Sequence, residues 1–227
     1  MNAQTPPALS ILGGLADLAQ HYDGYIVDLW GTVHDGLRPY DGAVACLRAL
    51  RNADKHVVLL SNAPRPAHVV ASQLEGFGVT SDLYDGIMTS GEETHRLLRE
   101  RTDPWFARLG QTMLHIGGTY DQELYDDLGL RRVTSAREAE FVINTGPDLD
   151  RGVGSLDPYL PELQSCLARG LPMICANPDK VVVKGGVSQI CAGALAASYA
   201  EQGGDVCWIG KPDPRVYEPV LGLSLIH

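Results

Sequence analysis

Apolar runs that stop abruptly on a polar residue constrain this chain more than any other feature. Tyr25-Ile26-Val27 ends in Asp28, Val57-Val58-Leu59-Leu60 in Ser61-Asn62, and Val206-Cys207-Trp208-Ile209 in Gly210-Lys211-Pro212. Such runs suit strands covered on both faces. Shorter runs follow the same pattern at 86–89, 113–116, 141–144 and 173–175. Between them, apolar residues recur at helical spacing over 9–20, 41–52, about 66–75, 92–101, 158–169 and 193–202. Strands alternating with helices predict an α/β fold, a parallel sheet with helices on both faces. In such sheets ligands bind beyond the carboxyl ends of the strands. Asp28, Ser61-Asn62 and Lys211 are therefore expected to meet in one crevice.

Those residue types suit phosphoryl transfer. A carboxylate can attack phosphorus and form an aspartyl-phosphate. A hydroxyl, loop N–H groups and a lysine can hold the phosphoryl oxygens as charge redistributes. Mg²⁺ prefers hard oxygen ligands and few protein groups, so it could bridge carboxylate and phosphate. The formal net charge of −10 argues against a nucleic-acid partner. No apolar run reaches the ~18 residues of a membrane span, and no signal peptide is visible. The five cysteines form no C-x-x-C, which predicts reduced thiols and a cytoplasmic location.

Spacing says where a second body belongs. Ser61 follows Asp28 by 33 residues, one strand–helix–strand unit with no room for an insert. Lys211 follows Ser61 by 150 residues, far more than the sheet needs. An insert of roughly 90–100 residues, itself alternating strand and helix, is expected to form a second small domain. The expected division is 1–88 for the first part of the core, 89–188 for the insert and 189–227 for the rest of the core.

D-x-x-G-T at Asp28–Thr32, S-N at Ser61-Asn62 and G-K-P at Gly210–Pro212 resemble the first three motifs of the haloacid dehalogenase-like hydrolase superfamily. "LLSNAPRP", "MTSGEETHRLL", "CANPDKVVVKGG", "CAGALAASYAEQGG" and "GKPDPRVYEPVL" are similar to its class IIA, NagD-like phosphatase branch. The resemblance implies a Rossmann-like core with an inserted α/β class II cap domain. It also implies a Mg²⁺-dependent phosphomonoester hydrolase acting on a small phosphorylated metabolite, with a homodimer as one assembly seen among capped relatives. Carried over residue by residue, Asp28 is the nucleophile and a magnesium ligand. Lys211 is its charge partner, and Ser61 with the Asn62 N–H binds phosphate. Asn177 and Asp179 of "NPD" face the site. Gly31 lets the backbone turn sharply toward the ligand.

Two departures stand out. The resemblance expects a second aspartate two residues after the nucleophile, acting as general acid and base while its carbonyl binds magnesium. Here that residue is Trp30, which keeps the carbonyl and loses the proton shuttle, a contribution typically worth ~10²–10⁴ in rate. His34 is the nearest substitute; its other reading is a hydrated turn residue beside Asp35-Gly36. The family's fourth, acidic motif is not met before His227, so the chain reads as a fragment. The alternatives are a phosphometabolite binder with little or no turnover and, less in keeping with the 33-residue spacing, a dehalogenase. Asp126/Asp127 and Asp148/Asp150 read as solvated acids, and His95 and His115 have no partner at ligand spacing. Without the fourth motif, residues 1–227 alone are expected to bind magnesium weakly. Vigorous magnesium-dependent turnover of an aryl phosphate by that segment would contradict this.

Overall fold

The structure, a computed structural model, describes residues 12–225. Helix α1 spans Ala16–Ala19, strand β1 Gly24–Asp28, α2 Ala43–Asn52, β2 His56–Ser61, α3 Ala67–Gly76 and β3 Gly86–Thr89. Then come α4 Ser90–Glu100, α5 Pro104–Ala107, β4 Thr112–Ile116, β5 Arg131–Val133, β6 Phe141–Asn144, α6 Leu160–Ala168 and β7 Met173–Cys175. The chain continues with β8 Val181–Lys184, β9 Val187–Ile190, α7 Ala192–Glu201, β10 Val206–Trp208 and α8 Glu218–Leu225. The helix expected over 9–20 survives only as α1, with residues 9–11 outside the described region.

Two parallel sheets carry the fold. The first has the order β1-β2-β3, and its register sets Asp28 beside Leu60 and Ser61 beside Thr89. The second has the order β10-β7-β6-β4-β5. Strands β8 and β9 form a separate antiparallel hairpin, Val181 opposite Ile190 and Lys184 opposite Val187. The expected division placed 189–227 with the first sheet. Instead β10 pairs with β7, Val206 beside Met173 and Trp208 beside Cys175, and α7 packs on that second sheet. The chain returns to the first sheet only after β10. The reason is the edge that β7 presents, which an apolar Val-Cys-Trp run can extend in register.

Strand alternation divides the apolar residues among three clusters. From β2, Val57 and Leu59 pack with Leu47 of α2 and Leu74 of α3, whereas Val58 and Leu60 face the other way. From the second sheet, Leu114, Val142 and Met173 pack with Leu163 of α6 and Tyr199 of α7. Their neighbours Met113, Phe141 and Ile174 point to the opposite face and meet Val58 and Leu60 in a shared middle cluster. Leu97 and Leu98 of α4, Phe106 of α5 and Val220 of α8 fill that cluster.

The start of α4 fixes the loop after β2. Thr89 caps the helix, its hydroxyl accepting from the Glu92 N–H at 2.8 Å and donating to the Arg65 carbonyl. The Ser90 hydroxyl donates to the Ala63 carbonyl at 3.0 Å, and the Glu92 carboxylate accepts from the Ala67 N–H at 2.9 Å. A Cβ on Gly91 would lie 2.2 Å from the Arg65 backbone nitrogen, and no side chain there can give way. Gly91→Ala is therefore expected to cost about 1–3 kcal/mol and to lower the melting temperature by several degrees. A calorimetric melt unchanged from the parent would show that this loop yields.

Candidate active site

The three sequence-distant segments do meet, in a cavity of about 1000 Å3 at the carboxyl end of the first sheet. Asp28 closes β1. The Lys211 ammonium donates to its Oδ1, and the Thr32 hydroxyl donates to its Oδ2 at 3.1 Å. Lys211 also reaches the Leu60 carbonyl at 3.3 Å. The carboxylate thus has a cation on one oxygen and a hydroxyl on the other, and its side chain is still 40% open. A group held this way is aimed into the cavity and accessible.

Asn62 joins the segments. Its Oδ1 accepts from the Lys211 backbone N–H at 2.7 Å, and its Nδ2 donates to Asp179 Oδ1 at 2.9 Å. Asn177 in turn accepts the Asp179 N–H at 3.0 Å. Sequence reading had given Asn62, Asn177 and Asp179 to the substrate. All three line the cavity, and their side chains bond to one another's groups and to the Lys211 loop. Ser61 is 6% exposed, lines the cavity and accepts the Ala63 N–H at 3.2 Å. Gly31 adopts φ +84 and would give a side chain open space, so its backbone remains approachable.

Trp30 points away from proton chemistry. Its indole N–H donates to the Val183 carbonyl of the β8–β9 hairpin at 3.1 Å. The His34 ring meets it edge-on at a centroid distance of 5.5 Å, with Phe77 on the far side of His34 at 5.2 Å. His34 is 4% exposed, and its Nδ1 accepts the Gly36 N–H at 3.0 Å. Burial holds its pKa below the usual imidazole value, against the pull of Asp35 and Asp28. The ring is thus a neutral packing element under the indole, not the hydrated turn residue that was the other reading.

Several groups were missed in the sequence. Thr32 sat inside a motif without a role. Arg65 pairs with Asp121 at 3.1 Å and lies over the Tyr120 ring at 4.8 Å, and all three line the cavity. Burial raises the Asp121 pKa against the opposing pull of Arg65. The hairpin was also missed, though Val-Val-Val-Lys and Val-Ser-Gln-Ile flanking Gly-Gly is a hairpin signal.

No set of three or more His, Cys, Asp or Glu side chains among the described residues is arranged to hold a metal ion. The oxygen donors lining the cavity include the Asp28 and Asp179 carboxylates and the Ser61 hydroxyl. Mg²⁺ usually keeps several waters and takes one or two carboxylates plus phosphate, so this hard-oxygen set suits it. The described residues contain no helix long and apolar enough to cross a membrane.

The sequence profile of haloacid dehalogenase-like hydrolases matches residues 25–131. A crystal structure of a haloacid dehalogenase-like family hydrolase from Brucella suis 1330 is 35% identical, with a TM-score of 0.84 over 93% of this chain and 74% of that one. The chain belongs to the haloacid dehalogenase-like hydrolases. Among curated proteins it is similar to the D-glycerol 3-phosphate phosphatase of Mycobacterium tuberculosis, 27% identical over 203 residues, 89% of this chain. It spans 54% of that relative's length. A glycerol phosphate phosphatase from the same organism, solved in complex with magnesium, is 25% identical with a TM-score of 0.64, over 90% of this chain and 60% of that one.

Beside the cavity, His115 Nε2 bonds to Thr145 Oγ1 at 2.9 Å and its Nδ1 to the Tyr125 hydroxyl at 3.1 Å. Burial, followed by the charges of Arg132 and Arg151, pushes its pKa down to about 4. An unfolded chain would protonate this ring near 6.5. Between those values the unfolded state binds the extra proton, so stability rises with pH. The contribution is full above about pH 6.5 and is lost as pH falls through about 4. Thermal melts across that window should show a smaller acid-side loss in His115→Gln than in the parent; parallel curves would refute this.

Proposed function

We propose that this chain forms the catalytic face of a phosphomonoester hydrolase that works through an aspartyl-phosphate on Asp28. The observation that carries the reading is the Asp28 carboxylate at a strand tip, flanked by the Lys211 ammonium and the Thr32 hydroxyl, in an open cavity. The names of two relatives, both glycerol phosphate phosphatases, support a small phosphorylated metabolite as the substrate.

In the first step an Asp28 oxygen attacks phosphorus and the ester P–O bond breaks, its electron pair leaving on the ester oxygen. In the second, water attacks the same phosphorus and the bond to Asp28 breaks, freeing phosphate and restoring the carboxylate. Lys211 balances charge on the transferring phosphoryl oxygens. The loop N–H groups and hydroxyl at Ser61-Asn62 are positioned to hold them. Asn62 keeps Lys211 and Asp179 in register rather than reacting. Mg²⁺, held by the Asp28 carboxylate and the Trp30 carbonyl, would supply further neutralisation of phosphoryl charge.

His34 is best read as support for Trp30, since its ring is buried and its Nδ1 is occupied by a backbone N–H. The same observation favours the second reading, a phosphometabolite binder with slow turnover. The dehalogenase reading gains nothing, because only α2 lies between Asp28 and β2.

In the full-length protein, Asp28→Asn should abolish phosphate release and the acid-stable phosphoryl adduct seen by mass spectrometry. Lys211→Met should cut kcat by ~10²–10³, as for loss of one preorganised charge contact. Adduct formation surviving in Asp28→Asn would move the nucleophile elsewhere. Tight phosphate-ester binding by the parent without turnover would select the binder reading.

A further inference from the structure

The cavity is far larger than a phosphoryl group requires, and more of its lining is apolar than polar. Tyr40, Tyr120, Leu149, Val181 and Val183 all line it, and each is among the large apolar side chains most open to solvent, from 43% for Tyr40 to 71% for Leu149. Exposed apolar residues are normally scattered singly; several around one cavity mark a ligand surface. They come from different parts of the chain, so no single loop accounts for them.

The wall nearest the nucleophile is Trp30, two residues beyond Asp28. The hairpin carbonyl holds the indole at its nitrogen and His34 holds it edge-on. Its six-membered ring lies where a Cβ on Gly36 would come within 2.2 Å, so Gly36, at φ +86, is needed for the ring to settle. An aromatic plane fixed on three sides is a preorganised contact surface. The hairpin reaches it because Gly185 and Gly186, at φ +56 and +80, allow a two-residue turn.

We infer that Trp30 and this apolar rim form a subsite for a flat, apolar leaving group, so that the preferred substrate is an aryl or similarly planar apolar phosphate ester rather than the phosphate of a polyol. The inference rests on the phosphomonoester reading only for the phosphoryl end. It also fits the residues around Asp28. Lys211 and Thr32 are its direct partners, the nearby His34 ring is packed away, and Asp121 and Asp179 in the cavity are engaged with Arg65 and Asn62. An aryl oxygen suits that arrangement. When the P–O bond breaks, the electron pair leaves on a weakly basic oxygen, which takes its proton from water. Trp30 is a specificity-determining residue here, touching the leaving group while moving no proton.

Titration calorimetry on the full-length protein tests this with two non-hydrolysable probes, benzylphosphonate and methylphosphonate. Benzylphosphonate should bind about tenfold or more tightly than methylphosphonate. Trp30→Ala should remove most of that preference, read as the ratio of the two affinities, with Trp30→Phe keeping part of it. Leu149→Ser alters only an exposed wall residue, so it should fold normally and decide the matter if Trp30→Ala does not. It should reduce the preference severalfold. Equal affinity for the two probes, no binding of either, or a preference untouched in Leu149→Ser would overturn the subsite. Turnover of phenyl phosphate and glycerol phosphate is measured separately. A benzylphosphonate preference without turnover of either ester would leave the subsite standing and sink the hydrolase reading.

Discussion

One side-chain amide holds the site together. Asn62 follows the end of β2, accepts the Lys211 N–H and donates to Asp179, partners that lie 149 and 117 residues away in the chain. Lys211 can reach Asp28 only if its loop is held where Asn62 holds it. A buried amide with both ends paired is a costly arrangement to break, since removing it strands a donor and an acceptor at once. The parallel sheets bring the segments to the same side; Asn62 sets their final register.

The residue two beyond Asp28 shows how one backbone position can change employment. Its side chain lines the cavity and takes the Val183 carbonyl of the hairpin as its hydrogen-bond partner. His34, Phe77 and Gly36 are organised around that indole. The cluster explains why His34 sits buried and neutral so near a carboxylate.

Much of this was legible in the residues. The apolar runs gave β1, β2, β3, β4, β6 and β7 nearly to the residue, because burial on both faces leaves an unbroken signature. Asp28 and Ser61 end neighbouring strands of one parallel sheet, as expected, whereas Lys211 reaches Asp28 from the end of β10 in the other sheet. The sheet to which β10 belongs was not legible, since an apolar Val-Cys-Trp run suits either sheet and only pairing with β7 decides. Nor was the Arg65–Asp121 pair, which joins a loop after β2 to a turn after β4 by a contact with no sequence period. The bracing role of the Asn62 side chain was not legible either, because its partners Lys211 and Asp179 lie far away in the chain.

The middle apolar cluster has a mechanical consequence. It is made by both sheets at once, with Phe106, Phe141 and Met113 fully buried in it. Levering the sheets apart would expose that packing to water, and well-packed interiors resist such deformation strongly. The β8–β9 hairpin, by contrast, carries exposed valines and touches Trp30 through a single indole hydrogen bond. Whatever room a bound ligand needs would therefore come from the rim of the cavity rather than from the frame the two sheets make.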